Sequence, residues 1–553
     1  MAEKSSPGDG APKVQGPVSN PVVRTEEQVQ QLVSAGTAVS KEGTTSTGPA
    51  ATGRGEPSPT VTVAERLDGL WRSPQPVVGS PPAWAVVAAG TAGSVAALLL
   101  PGVPRLGINL VICALTVAVP VGVLAFQRGR AAGRRYPVGR VTVLLGVITI
   151  GLTAVAAVRA SEWLVGGCVL AAGCLGAATA LDLRRWKALL ATLPTFVVVT
   201  LHALPWAGRV LPADRMRRPS QPWISGLVLG GVSTFVVAGL LASADAAFAD
   251  LLDALWPSVD PGLVPARVIV FLAVTATALG AMLAVSARIR QPRSPVGPAR
   301  HPAEWLLPLV LVAVTITAFL AVEATMLFGG AEVVTRGSSL SHANRAREGF
   351  GQLIVVTLIV LALLAWAGRS AAGGPPAYRR LLGLAGGVLL VLALLLGVSA
   401  LRRLWLYQDA YGFTVTRVNA AAFEFWVAFV LIGVGVGWLV RRTDLLPRFV
   451  IGSAGLGLLL VGLAGPDAIV ASANVERFEH RGQIDTYYLR ALSADAVPAL
   501  NRLPEPLRSC VLGDQAMDED PWYAWNLARS RAKTLLRADP PTADACLRVT
   551  GFG

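Results

Sequence analysis

Long apolar runs alternate with short polar connections along most of the chain, from residue 82 onward. Each run is about 18 to 25 residues long, which is enough for a helix to cross the roughly 30 Å hydrocarbon core of a bilayer. Because lipid offers the backbone no hydrogen-bonding partners, such runs have to form helices. The pattern predicts an all-α, polytopic transmembrane helical bundle of 11 or 12 spans. The runs lie near 82–100, 106–126, 141–158, 163–181, 188–207, 223–243, 264–286, 304–328, 350–368, 381–399, 421–440 and 449–466.

Two segments outside these runs differ from them in composition. Residues 1–80 are rich in Pro, Gly, Ser and Thr and lack the apolar surface that offsets the entropy of ordering a backbone, so we expect a disordered tail. Residues 467–553 mix charges of both signs with short apolar stretches, which predicts a small soluble domain of short helices. The transmembrane bundle then occupies residues 81–466.

Within the predicted C-terminal domain, two pairs of residues indicate local structure. Asp520 and Pro521 are suited to the N-cap and first turn of a helix that runs to about Arg537. Cys510 and Cys546 are the two cysteines of this segment and are a possible disulfide pair. A domain this small needs either that staple or support from the bundle.

Overall composition excludes a soluble protein. The chain has 553 residues, of which 53% are hydrophobic and 15% are charged, whereas soluble domains carry roughly a quarter charged residues. The net charge of +14 comes mostly from arginines between the apolar runs, where determinants of membrane topology lie. We therefore predict the lipid bilayer of the plasma membrane as the partner of the bundle, and no nucleic acid.

All the basic connections lie on the cytoplasmic side only if one apolar run does not cross the membrane. These connections are 128–140, 182–187, 208–221, 288–300 and 441–448. The segment at 187–208 contains Pro194, His202 and Pro205, which are typical of a re-entrant or interfacial piece. The preferred topology has eleven crossings, with a cytoplasmic N-terminus and an extracytoplasmic C-terminal domain, where a disulfide is allowed.

Polar residues collect on one face of the predicted bundle. The connections at 244–263, 329–349 and 400–420 share that face with the C-terminal domain, because pairs of spans separate them. An ionised carboxylate in lipid is costly, so Glu323, which lies inside a span, needs a cation, and we expect Arg402 or Arg403 to supply it.

Two other acids have simpler interpretations. Glu424 could reach the membrane interface, and Asp245 could end a helix in water. The run at 401–417 favours an interfacial amphipathic helix, with an anion or headgroup site as the alternative. The expected floor of a single polar site is Glu323, Arg347, Arg403 and Tyr407. The full set of candidate site residues is Asp245, Glu323, Arg345, Arg347, Glu348, Arg402, Arg403, Tyr407, Tyr411, Arg417 and Glu424.

Three motifs resemble a known family. They are Ala346-Arg-Glu-Gly-Phe-Gly-Gln-Leu353, Leu406-Tyr-Gln-Asp-Ala-Tyr-Gly-Phe-Thr-Val-Thr-Arg417 and the stretch from Asn474 to Leu500. They are similar to those of a bacterial, actinobacterial-looking multi-pass membrane family catalogued as a domain of unknown function of the 4173/4153 type. The resemblance covers roughly residues 220–510. It implies a multi-pass membrane protein and supplies no activity.

The sequence contains no standard catalytic motif. Its four histidines are scattered, and neither a His-Glu-x-x-His nor a Gly-x-Ser-x-Gly pattern occurs. We therefore predict no catalytic residue, no metal and no cofactor. The expected function is that of a non-enzymatic envelope sensor or assembly component, with an envelope protein partner bound through the C-terminal domain. The alternative is a secondary transporter that uses Glu323 as an intramembrane carboxylate.

Overall fold

The structure is a computed structural model, and it describes most of the chain from residue 79 onward. The described residues are 79–102, 105–133, 138–210, 261–287, 298–328, 342–515, 519–542 and 545–548, with a few more between 230 and 248. Nearly all of the tail predicted at 1–80 therefore lies outside the described residues.

The apolar runs form α-helices, as the sequence predicts. In chain order the helices of the bundle are α1 (Ala83–Leu99), α2 (Ile108–Ala131), α3 (Arg140–Val158), α4 (Glu162–Ala180), α5 (Trp186–Leu190), α6 (Thr192–Gly208), α7 (Val264–Ser286), α8 (Pro302–Phe328), α9 (His342–Ala371), α10 (Pro376–Tyr411), α11 (Val415–Leu439) and α12 (Leu446–Ala464). Within the described ranges, nine of them are long and apolar enough to cross a membrane, namely all except α1, α5 and α6. The prediction of an all-α, polytopic membrane bundle is confirmed.

Side chains on the outside of the bundle are apolar, and small residues allow close packing inside it. Leu144, Leu384 and Leu439 are large apolar residues exposed on three different spans, as expected of a surface that faces lipid. A Cβ atom added at Gly93 of α1 would lie 2.7 Å from the carbonyl oxygen of Phe271 in α7. Only glycine permits this approach of the two backbones.

The helices alternate in direction and so define two faces of the bundle. On the domain face, the connections 105–107, 159–161, 412–414 and 465 meet the C-terminal domain. On the opposite face, here called the basic face, lie the connections 181–185, 372–375 and 440–445. There Arg448 Nε donates to the carbonyl of Leu183 at 3.3 Å, and the Arg300 N–H donates to the carbonyl of Ser370 at 3.0 Å.

The chain passes from one face to the other between α4 and α7. Leu183 lies on the basic face, whereas Leu263, at the start of α7, packs beside Gly102 on the domain face. The predicted topology of eleven crossings, which counts one of the two apolar runs at 188–207 and 223–243, requires the same change of face. Most of the run at 223–243 lies outside the described residues.

Contacts of α6 lie in the half of the bundle nearer the basic face. Trp206 Nε1 donates to the carbonyl of Gly79, just before α1, at 3.1 Å. Phe196 packs in the small cluster formed by Leu181, Leu183 and Ala284 at the ends of α4 and α7. Both contacts lie toward the basic face, and α6 is shorter than the nine helices that are long enough to cross.

Helix α10 is longer than the sequence pattern predicts. The pattern places a span at 381–399 and a separate interfacial helix at 401–417, but the structure has one helix of 36 residues. It is about 54 Å long at 1.5 Å per residue, far more than a span needs. Residues 398–411 contain no glycine or proline, and Gly412, whose φ is +83°, ends the helix. The prediction of a separate interfacial helix was wrong.

The C-terminal region is a small helical unit on the domain face. Its helices are α13 (Pro466–Arg481), α14 (Thr486–Arg490), α15 (Val497–Leu500), α16 (Leu507–Leu512) and α17 (Leu527–Ala538). Val475, Leu489, Leu500 and Leu536 belong to its buried core, against which Val418 of α11 also packs. A disulfide joins Cys510 and Cys546. The disulfide and the packing against α11 therefore both stabilise the domain.

Helix α17 begins later than the sequence predicts. Its N-cap is Asn526, whose side chain accepts a hydrogen bond from the Arg529 N–H, and not Asp520. Residues 522–524 form a single 3-10 turn before it. The carboxylate of Asp520 instead binds two cations of α17, Arg529 and Lys533. An acid that can cap a helix can also pair with cations on that helix, and Asp520 forms the ion pairs.

Candidate functional site

A buried ion pair attaches the C-terminal domain to the bundle. Arg159, which follows α3, donates to Asp495 at 3.3 Å, and the side chain of Asp495 is only 2% exposed. The second carboxylate oxygen of Asp495 accepts from the Ala160 N–H at 2.7 Å. Arg159 also donates to the carbonyls of Gly462 and Leu463, near the end of α12. Its charge and its donors are therefore used in holding α3, α12 and the domain together.

Asn526 makes a second attachment at the same place. Its Nδ2 donates to the carbonyls of Ala156 and Arg159, at 2.8 and 2.7 Å, while its Oδ1 caps α17. One amide thus satisfies carbonyls at the end of one helix and an N–H at the start of another. Beside it, the Ile108 N–H at the start of α2 donates to the carbonyl of Trp525 at 3.0 Å.

The connection between α10 and α11 supplies a third attachment. Asn474 Nδ2 donates to the carbonyl of Phe413 at 2.8 Å, and its Oδ1 accepts from the Phe413 N–H at 3.2 Å. The Val415 N–H donates to the Tyr488 hydroxyl at 2.8 Å. Burial raises the pKa of Tyr488, so this hydroxyl stays neutral at physiological pH. The domain is consequently fixed to the ends of several spans that are distant in sequence.

These attachments surround a cavity of about 1030 Å³ between the bundle and the C-terminal domain. Its walls come from the connections 105–107 and 159–161, the first turns of α4 and α11, and the C-terminal domain, chiefly α13, α14, the turn at 491–494 and α17. Polar members of the wall include Arg105, Glu162, Asn419, Asp467, Arg529 and Lys533. The size is at the upper end of the range for small-molecule sites. We take this cavity as the candidate functional site.

The cations of α17 share a single acid. Asp520 accepts from Arg529 at 3.0 Å and from Lys533 at 3.1 Å. Burial opposes its ionisation, but the hydrogen bonds and charges of these two cations outweigh burial and hold the pKa of Asp520 below its usual value. One carboxylate charge faces two cationic charges, which leaves a positive excess on α17.

Acceptors occupy another part of the wall. Asp467 is 4% exposed, and its Oδ2 accepts from the Ser493 N–H at 3.2 Å. The Oδ1 of Asn419, in the second turn of α11, is buried and has no hydrogen-bond partner among the described residues. Buried acceptors normally have a donor. The cavity therefore offers cationic donors and unpaired or anionic acceptors together.

The ion pair expected for Glu323 is present in the structure. Arg403 Nε donates to Glu323 Oε1 at 3.0 Å, and the Arg403 guanidinium lies over the ring of Phe319 at 5.6 Å. Arg402, the other expected partner, is exposed.

Other predicted site residues form a second cluster at the end of α10. Arg417 lies 4.3 Å from the ring of Tyr407, whose centroid is 4.9 Å from that of Tyr411. Asp245 accepts from the Phe248 N–H at 3.1 Å, which matches its interpretation as a residue at a helix end. Arg345, Arg347 and Glu348 lie in α9, but their side chains, like most of the 329–349 connection, lie outside the described residues.

Glu424 contradicts its predicted position at the interface. It is 3% exposed in the middle of the bundle, and a Cβ atom added at Gly397 of α10 would lie 2.8 Å from its Oε1. The absent side chain of Gly397 makes room for the carboxyl group. Because α11 begins at Val415, nine residues before Glu424, the carboxyl is too deep to reach the helix end.

Sequence reasoning missed the residues of the cavity. None of the eleven predicted site residues lines it. A signal was nevertheless present: Arg105 and Arg159 are single cations in very short connections on the domain face, opposite the strongly basic connections. In the described part of the chain, no three His, Cys, Asp or Glu side chains lie together as a metal site would require.

Comparison with family models identifies a family for most of the chain. The family model described as "Domain of unknown function (DUF4153)" matches residues 146–503. The comparisons with curated proteins and with solved structures gave no match. The matched region begins earlier than the resemblance at 220–510 suggests. It includes Arg159 and Asp495 but ends before Asn526 and Lys533.

Proposed function

For this chain, which belongs to the DUF4153 family and inherits no activity from it, we propose a role as a non-enzymatic sensor or assembly component of the cell envelope. Its recognition surface is the C-terminal domain together with the domain face of the bundle. The observation that carries the proposal is the fixed attachment of this domain to the ends of several spans around one large cavity.

These attachments can couple ligand binding at the C-terminal domain to the position of helices that reach the basic face. Arg159 and Asn526 hold the domain on the last turn of α3, and Asn474 and Tyr488 hold it at the start of α11. A ligand or partner that favours one position of the domain would favour the matching position of these helices. That is the mechanical requirement for a sensor that spans a membrane.

Charge supports one orientation in the plasma membrane. The connections with most cations, such as 182–187 and 441–448, lie on the basic face, which we place in the cytoplasm. The C-terminal domain is then extracytoplasmic. A disulfide between Cys510 and Cys546 is typical of that compartment.

Exposed aromatic residues on the domain provide a test for an envelope protein partner. Tyr487 and Trp522 are 87% and 72% exposed, and aromatic side chains are enriched in protein interfaces. A photo-crosslinking amino acid at either position should give one discrete protein adduct in intact cells. The same amino acid at Trp186, an exposed position near the basic face, should not. If all three positions give only lipid adducts or only the same protein, the proposed recognition surface is wrong.

A secondary transporter is the second candidate, and Glu424 is the observation that favours it. Its Oε2 is buried inside the bundle without a hydrogen-bond partner among the described residues, and Glu323 Oε2 has the same property. Carboxyls of this kind line proton pathways in transporters. Proton-coupled uptake into proteoliposomes that is lost in Glu323→Gln would establish this function in place of the first.

A further inference from the structure

We propose that the cavity beneath the C-terminal domain binds the head group of a zwitterionic phospholipid that carries a primary ammonium. The phosphate lies beside Lys533 and Arg529, and the ammonium lies beside Asn419 and Asp467. The inference rests on the proposed function, because it names a ligand for the same recognition surface.

The location of the cavity suits an amphiphile. One wall consists of the first turns of two spans, with Trp163, Val165 and Gly166 on α4 and Val415 on α11. A Cβ atom added at Gly166 would have no neighbour within 4 Å, so open space adjoins α4 at this level. Trp163 is half-exposed, and tryptophan is enriched where a helix enters the lipid head groups. The cavity therefore extends from a polar domain to the membrane-facing part of two helices.

The charges in the wall fit both ends of a zwitterion. Lys533 has three N–H donors, and its contact with Asp520 uses one of them. The positive excess on α17 can be balanced by a phosphate, with hydrogen bonds assisted by charge. Three of the five N–H donors of Arg159 bind Asp495 and two backbone carbonyls, and three of those of Arg529 bind Asp520 and the carbonyls of Leu106 and Ala524. Lys533 is therefore the main hydrogen-bond donor to the phosphate, and Arg529 adds its charge.

The acceptors require a ligand that donates hydrogen bonds. A primary ammonium has three N–H groups, which can pair with Asn419 Oδ1 and the carboxylate of Asp467. A choline head group has the positive charge but no N–H, and so leaves the buried oxygen of Asn419 unpaired. A glycerol head group has hydroxyl donors but no charge to balance Asp467. The expected order of affinity is ethanolamine, then choline, then glycerol.

Native mass spectrometry of the full chain in detergent tests this order. The probes are dioctanoyl phosphatidylethanolamine, phosphatidylcholine and phosphatidylglycerol, added at equal concentrations. We expect phosphatidylethanolamine to bind most tightly, and Lys533→Met to weaken its binding about tenfold, since a hydrogen bond to a charged group is lost. Arg531→Met is the matched control, because Arg531 is exposed on the same helix and outside the cavity wall.

A second variant keeps the test decisive if Lys533→Met unfolds the domain. Asn419→Leu removes the unpaired acceptor and should abolish the preference for phosphatidylethanolamine over phosphatidylcholine. Retention of that preference, equal binding of phosphatidylglycerol, or no lipid binding by folded protein would each overturn the inference. These results do not depend on a protein partner, so they are separable from the crosslinking test of the proposed function.

Discussion

The ion pair between Glu323 and Arg403 links α8 and α10 within the bundle. Their side chains are 13% and 30% exposed, so each charge depends on the other more than on solvent. Removing one partner of a buried pair leaves the other charge without compensation, which costs more than the intact pair contributes.

We predict that Glu323→Ala and Arg403→Ala each lower the stability of the detergent-solubilised protein by about 3 kcal/mol. The double variant should lose less than the sum of the two. Thermal unfolding of the four proteins measures this coupling, and Arg402→Ala, at the exposed neighbouring position, should be neutral. Strictly additive losses would mean that the two residues act independently.

Asp520 should make stability depend on pH in a defined range. Its folded pKa is lowered from 3.8, so its contribution is fully present above about pH 5 and is lost as the pH falls through the folded value. Compared with Asp520→Asn, the wild type should be more stable by a constant amount between pH 5 and 7. That advantage should shrink below pH 3.8. Chemical unfolding at stepped pH values tests it, and a difference that grows on acidification would contradict the assignment.

At the scale of elements, the apolar runs predicted the spans because lipid leaves the backbone no alternative to helix. The ends of the helices were less predictable. Helix α10 continues to Tyr411 because nothing in 400–411 breaks it, even though that stretch is polar enough to lie at an interface. Helix α17 begins after its N-cap Asn526, while Asp520 pairs with Arg529 and Lys533 in the first two turns of the helix. Such choices depend on tertiary contacts.

We expect Asn526→Ala to destabilise both α17 and the C-terminal end of α3. The variant removes the N-cap of α17 and leaves the carbonyls of Ala156 and Arg159 without their donor. The expected loss is about 2 kcal/mol, from one cap and two buried acceptors. Hydrogen exchange should become faster both in α17 and at the end of α3, whereas the surface control Thr534→Ala should change neither. Faster exchange in α17 alone would show that Asn526 does not hold α3.

At the scale of the whole molecule, the sequence predicted that the connection after α10 and the C-terminal domain share a face, but it did not predict the cavity. Span parity needs only the number of runs, so the domain face could be derived from spacing. The cavity is formed by residues as far apart as Arg105, Asp467 and Lys533, whose proximity depends on how the domain docks. No local pattern carries that information. The ion pair of Glu323 and Arg403 could be predicted from the sequence, because a charged side chain inside a span needs a partner of opposite charge.

Cysteine labelling should establish the orientation of the two faces. In intact cells, a membrane-impermeant maleimide should modify Arg531→Cys in the C-terminal domain, since this position is exposed. Asp444→Cys, exposed on the basic face, should react only after permeabilisation. The opposite pattern would place the domain in the cytoplasm.

The hydrogen bonds of Asn526 join residues that are far apart in the chain, and this separation has a consequence for biogenesis. Its partner Ala156 lies 370 residues earlier in the chain, and ribosomes add about 5 to 20 residues per second. The end of α3 therefore waits roughly 20 to 75 s during synthesis before its capping amide exists. Until then the carbonyls of Ala156 and Arg159 lack the donor that the finished protein gives them. This attachment therefore forms only after every helix from α1 to α12 has been synthesised.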